Sequence, residues 1–425
     1  AKKFPDYVAL SNPQPLTLVE TQNLLSDDEA IVVFDIGEKN SYAWVITKSD
    51  SDWVELPVNK VILDAQVNLL RQSLTFSVDK AFDAILSYNI YQETFGQIAS
   101  QIAGKRRLSV IANGSLTTIP FGLLVTTDPG AKDLKEMDWL IRSHALVTIP
   151  SIYSLKTMRS HAANSSAPKP MIAFADPVFS KNAQLQSRIH KTKLRSLSQF
   201  YQGSRLDIRS LSEHLSQLPG TRKEVQAIAS SVGANQNDIK LGADASVTNL
   251  KNSNLDQYRI VYFATHGLVA GDLKTFSRVG AEPSLVLTIP DKPTDSDNGV
   301  IQASEISELK LDADWTVLSA CNTASSEGDE AEALSGLASA FLYAGSRSLV
   351  VSHWDVSDDA TPRLMSDLFK ISAENPQLSH GEALREAILH LINSSQTRDE
   401  AHPRMWAPFV VVGEPAKMPS SDIRR

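Results

Sequence analysis

The sequence predicts an α/β fold in which helices cover both faces of a mainly parallel central sheet. Two observations predict it. RIVYFATHG (259–267), DWTVLSAC (314–321), RSLVVSHW (347–354) and PFVVVGE (408–414) are apolar with little alternation, as strands buried on both faces require. Helical patterns lie between them, as in EALSGLASAFLYAG (332–345) and GEALREAILHLIN (381–393). Strand and helix therefore alternate, the order expected of a parallel sheet. At 425 residues the chain is too long for one simple core, so two packed parts are expected.

Taken in order, residues 1–29 read as a polar, Pro-containing lead-in with one short amphipathic helix. AIVVFDIGEKNSYAWVIT (30–47) reads as a hairpin turning at Gly37–Asn40. Residues 61–103 carry helical periodicity. RLSVIANGSLTTIPFGLLVT (107–126) reads as a strand, an Asn-Gly turn and a second apolar run, and HALVTIPSIYSLKTMRS (144–160) closes an amino-terminal subdomain of residues 30–160. HAANSSAPKP (161–170) has linker composition, and residues 171–425 are assigned to a second subdomain. That part opens with the strand MIAFADP (171–177), followed by a polar surface insertion over 180–215. GTRKEVQAIASSV (220–232) reads as a helix with Thr221 as N-cap and Glu224 completing a capping box. PSLVLTI (283–289) is a further strand.

The totals exclude several classes of function. A net charge of −8 argues against a general nucleic-acid surface. No apolar run reaches the roughly 18 residues of a membrane span, and the amino terminus lacks a secretory signal. Cys321 is the single cysteine, so no internal disulfide or multi-thiolate zinc site is available; a reducing, cytoplasmic setting is expected.

Two stretches carry chemistry. YFATHG (262–267) delivers His266, and LSACNT (318–323) delivers Cys321, each just past an apolar strand. Ligands of parallel sheets gather at the carboxyl ends of strands. There an imidazole can take the thiol proton, leaving a thiolate to attack a carbonyl. The N–H groups of Gly267 and Cys321 are candidate donors to the resulting oxyanion. His266 precedes Cys321 by 55 residues, the order and approximate distance found in caspases. Taken singly, either residue is an ordinary core side chain; the pairing gives them a catalytic reading.

YFATHG, LSACNTA (318–324), GLASAFLYAGSRSLVVSHWDVSDDAT (336–361) and HPRMWAPFVVVGEP (402–415) together resemble the CHAT domain. CHAT peptidases are caspase-like relatives of separase, legumain and gingipain. The resemblance extends upstream through IANGSLTTIPFGLLV, IPSIYSLK, MIAFADP and LPGTRKEVQAIAS, covering essentially residues 16–415. It implies a three-layer caspase-like fold with an amino-terminal pseudo-caspase-like half, and a Cys321–His266 dyad hydrolysing peptide bonds. No metal or organic cofactor is expected. Such domains commonly follow TPR repeats. The start at Ala1 and the lead-in therefore read as the join to an upstream TPR region, which, like an activating partner in bacterial defence or cell death, would release activity on a protein substrate.

SHWDVSDDAT (352–361) resembles the separase stretch that lines an arginine pocket. The resemblance implies that Trp354 forms a wall and Asp355 or Asp358 supplies charge, with Asp176 at the pocket border. Cleavage after Arg or Lys is expected, with a small apolar residue or leucine as the alternative. Equally, Asp358 and Asp359 suit the cap of a helix starting near Thr361. Two rival readings remain open from the residues: a non-catalytic adaptor, and a cysteine hydrolase of non-peptide esters or amides.

Overall fold

The computed structural model describes residues 15–74, 81–160, 165–179, 201–202, 205–206, 208, 211–212, 215–268, 282–294, 296–319, 331–354 and 360–413. Two compact units account for them: Ala1–Asn164 with Arg363–Arg425, and Ser165–Pro362.

The first unit opens with α1 (Leu18–Asn23), where Thr17 and Glu20 cap each other reciprocally. Strands β1 (Glu29–Ile36) and β2 (Ser41–Thr47) form the expected antiparallel hairpin. A Cβ on Gly37 would lie 2.4 Å from the Asn40 carbonyl oxygen, so the turn needs glycine there. A third strand, β3 (Ser51–Leu56), extends the meander; its polar, largely exposed residues hid it from an apolar pattern search. The helical stretch expected over 61–103 divides into α2 (Lys60–Gln72) and α3 (Ala84–Glu93), followed by short turns. Asn59 and Asp83 each accept a backbone N–H as N-caps, which starts two separate helices. Strand β4 (Arg107–Ile111) runs parallel to β1, and β5 (Ala145–Thr148) runs parallel to β4, followed by α4 (Ile152–Ser160).

A buried ion pair anchors this unit. Glu29 and Arg159 meet at 2.8 Å, each side chain 4% exposed. Burial alone would raise the Glu29 pKa, but the Arg159 guanidinium, the Ser26 N–H and Arg107 together hold it below its usual value.

The second unit begins where the linker was expected. Residues 161–164 lie outside the described residues, but Ser165 and Ser166 are already fixed: the Ser166 N–H and hydroxyl donate to Asp312 at 2.8 and 2.7 Å. Strand β6 (Lys169–Ala175) starts three residues later, inside the stretch expected as a linker. Helix α5 (Pro219–Ser231) also departs from expectation. Its N-cap is Leu218, with no side-chain cap, while Thr221 and Glu224 point to other partners. The end of the expected surface insertion is buried. Leu211 and Leu215 are 0% and 1% exposed, packed with Phe179, Leu268, Val286 and Val300.

The remaining strands of this unit are β7 (Ile239–Leu241), β8 (Tyr258–Ala264), β9 (His266–Leu268), β10 (Ser284–Val286), β11 (Val300–Gln302) and β12 (Ala313–Leu318). Helix α6 (Ala331–Tyr343) and β13 (Ser346–Ser352) complete it. Five strands run parallel in the order β13-β12-β8-β6-β7. Strands β9, β10 and β11 form a separate antiparallel sheet, so PSLVLTI serves this small sheet and not the parallel one.

The chain then forms α7 (Ala360–Glu374), α8 (His380–Ser394) and β14 (Phe409–Gly413). Strand β14 pairs in parallel with β5. Helix α8 lies so close to β5 that a Cβ on Gly381 would come within 2.6 Å of Val147 Cγ2. The span 171–425 is thus divided at Arg363, beyond which the chain packs into the first unit. Both units are α/β, with sheets mainly parallel.

Candidate active site

The parallel strands of the second unit share one register. Phe263 of β8 lies opposite Phe174 of β6 and Leu318 of β12, and Leu318 lies opposite Val351 of β13. This row is apolar and buried. Past it, toward the carboxyl ends, the chemistry changes. Asp176 stands two positions beyond Phe174, His266 three beyond Phe263, and Trp354 three beyond Val351.

His266 is placed by a turn at Thr265, whose hydroxyl donates to the Val286 carbonyl. The chain leaves the parallel sheet there and pairs as β9, with His266 opposite Val286 and Gly267 opposite Leu285. The imidazole is buried, its ring 5.2 Å from that of Phe179. Its Nε2 lies 2.8 Å from the Ser216 carbonyl oxygen. A carbonyl only accepts, so Nε2 carries the hydrogen and the neutral ring has its basic lone pair on Nδ1.

Asp176 is the sole non-glycine with positive φ among the described residues, at +50°. Helix α5 holds it there. The Thr221 hydroxyl accepts from its N–H at 2.9 Å, while Arg222 Nε and Nη2 both reach its Oδ2 at 2.8 Å. Trp354 is buried beside His353, their rings 6.3 Å apart. Cys321, Asp355 and Asp358 lie outside the described residues. Strand β12 is followed as far as Ser319, whose N–H donates to the Phe263 carbonyl at 2.9 Å and extends the pairing with β8.

The sequence reading missed the segment that meets His266, Asp176 and Tyr262 from the other side. Ser216, Gln217, Thr221, Arg222 and Glu224 form one segment leading into α5, and no spacing rule marks a backbone carbonyl or a buried helical acid. Nor did it identify Tyr262, whose hydroxyl donates to Glu224 at 2.5 Å. Burial first, and the Glu224 carboxylate second, push the Tyr262 phenol well above its usual pKa, so it remains a donor. His402 has a purely structural place: its Nδ1 accepts the Arg404 N–H, and its ring meets Phe82 edge-on at 6.0 Å. Among the described residues no cluster of His, Cys, Asp and Glu could hold a metal ion, and no helix is long and apolar enough to cross a membrane.

Residues 85–414 match the CHAT domain family. The chain belongs to the CHAT domain family. No curated protein matches it. Among solved structures it is similar to the separase–securin complex of Saccharomyces cerevisiae, at 10% identity and a TM-score of 0.49, over 93% of this chain and 30% of that one. It is also similar to the Arg-specific cysteine proteinase gingipain R, at 9% identity and a TM-score of 0.38, over 84% of this chain and 74% of that one. The chain thus spans under a third of the separase-complex chain it matches.

Proposed function

We propose that this protein is a cysteine endopeptidase working through Cys321 and His266. The observation that carries the reading is the strand register. Phe263 and Leu318 are opposite each other on adjacent parallel strands. His266 follows the first by three positions and Cys321 follows the second by three. Parallel neighbours lie about 4.8 Å apart, so equal advances beyond a matched pair bring two chains out at one sheet edge. Nδ1 of His266 takes the thiol proton, and the thiolate attacks the scissile carbonyl carbon. The N–H groups of Gly267 and Cys321 receive the oxyanion. The imidazolium returns its proton to the departing amine, leaving a thioester. Water, deprotonated by the same ring, then hydrolyses the thioester and frees the thiol.

The resemblance of SHWDVSDDAT (352–361) to the separase stretch that lines an arginine pocket implies preference for Arg or Lys before the cut, with Trp354 as a wall. Oδ2 of Asp176 is already committed to Arg222, so the charge of the pocket falls chiefly to Asp355 or Asp358. Membership of the CHAT family supports regulated proteolysis in bacterial defence or cell death, triggered through an upstream TPR region or an activating partner.

The test is a peptide-library cleavage assay on this chain beside Cys321→Ala. Cleavage after Arg or Lys that disappears in the variant is the expected result. Cleavage after other residues keeps the dyad and removes the acidic pocket. Absence of cleavage even with the upstream region restored favours a non-catalytic adaptor.

A further inference from the structure

The segment 216–224, SQLPGTRKE, makes a run of contacts that the catalytic reading does not use. At its start the Ser216 carbonyl accepts the imidazole hydrogen of His266 at 2.8 Å. Next, the Gln217 amide donates to the Pro177 carbonyl and accepts from the Phe179 N–H, both at 3.0 Å. Thr221 and Arg222 hold the backbone and carboxylate of Asp176. At its end Glu224, only 2% exposed, accepts the Tyr262 hydroxyl at 2.5 Å. Tyr262 lies on β8, four residues before His266.

His266 is therefore held from two sides. Covalently it hangs from β8, and by hydrogen bond it leans on Ser216. The Glu224–Tyr262 bond ties these two supports together, because one partner follows Ser216 in the same segment and the other precedes His266 on the same strand. A buried carboxylate is costly where an apolar side chain of similar volume would fill the space. Thr221 and Arg222 grip Asp176, just past the end of β6, and make no such bond to β8.

We propose that Glu224 and Tyr262 are a positioning pair that keeps the imidazole of His266 on the Ser216 carbonyl, a role that deepens the peptidase reading and rests on it for its effect on rate. Neither residue touches the reacting atoms. Their influence reaches the chemistry through the orientation of the ring.

The experiment compares Tyr262→Phe, Glu224→Gln and the double variant Tyr262→Phe/Glu224→Leu with wild type. Three readouts are taken: kcat/KM on the best library peptide, thermal stability, and ring-nitrogen NMR of His266, assigned with His266→Gln. Glu224→Gln keeps an acceptor for the phenol, so it should retain the Nε2–H signature and most of the activity. Tyr262→Phe should lose about 10- to 100-fold in kcat/KM, the usual result of misplacing a catalytic group by about an ångström, and change the ring signature. The double variant removes both polar partners and should regain stability, since paired removal is nearly neutral. Its loss of activity and altered ring signature should nevertheless persist. A double variant that regains stability, wild-type kcat/KM and the wild-type ring signature together would overturn the proposal and leave the pair a packing feature. If wild type cleaves nothing even with the upstream region restored, the peptidase reading fails on that ground, and the ring signature alone decides the positioning role: a shift in Tyr262→Phe and the double variant supports it, and an unchanged ring overturns it.

Discussion

The two units use the carboxyl ends of their parallel strands in opposite ways. In the first, β1 runs straight into the hairpin turn at Gly37, and β4 ends two residues before Asn113. The Asn113 side chain turns back to accept the Ile36 N–H at 2.7 Å and to donate to Asp35 at 3.1 Å, sewing neighbouring strand ends together. In the second unit the ends are left for side chains with chemistry: Asp176, His266 and Trp354 follow a common apolar row. The histidines show the same contrast. His144 immediately precedes β5, its Nδ1 2.6 Å from the Lys105 carbonyl, whereas His266 follows β8 and leans on Ser216 through Nε2. Each ring is locked by a backbone carbonyl. Only the second stands at the edge where a parallel sheet presents ligands. A carbonyl-bound imidazole is thus no sign of function by itself; its place along the strand decides.

The sharpest way to break this contrast is to remove each ring in turn. His266→Ala should lower kcat by roughly 10⁴-fold or more, with folding retained, as a peptide-cleavage assay would measure. If the activity survives, the strand-end distinction has no catalytic meaning. The next largest effect belongs to the first unit. Arg159→Met leaves Glu29 buried without its guanidinium and should destabilise by about 3–5 kcal/mol in denaturant unfolding. A loss within the error of the measurement would mean that Arg107 and Ser26 suffice for Glu29. The smallest effect is a pH dependence. Burial, chiefly, holds His144 below its ordinary pKa of 6.5. Unfolding therefore takes up a proton once the pH drops below that value. The neutral ring's contribution to stability is fully present above pH 6.5 and is lost as pH falls toward the depressed folded value. His144→Asn should flatten that acid limb of a stability–pH profile.

Much of this architecture was legible in the sequence because burial on two faces leaves a plain apolar signature. The strands carrying YFATHG and SLVVSHW follow from it, while the hairpin at Gly37 follows from its turn residues and helix α8 from helical periodicity. Strand β3 was not legible, since an edge strand with Ser51, Asp52 and Glu55 exposed has little apolar pattern. The capping box at Thr221 and Glu224 failed for an instructive reason. The residue types fit, but local capping lost to tertiary demand: Thr221 serves the Asp176 backbone, and Glu224 serves a tyrosine 38 residues away. For the site, the position of His266 could be read from where the apolar run ends. The Ser216 carbonyl could not, because every residue has one. Asp176 was read as a border of the pocket, and its bond to Arg222 depends on a helix whose placement no local pattern reveals.

The crossover between β8 and β12 has one more consequence. Its two ends are fixed independently, Ala264 by its pairing with Ala175 of β6 and Ala313 by its pairing with Ser346 of β13. The path between them, which carries the small sheet β9-β11, can therefore change length without moving either end, and each doubling of a flexible loop costs only about 0.6 kcal/mol. The sequence distance between β8 and β12 is then a free variable, and new recognition elements have room to be written into the chain there.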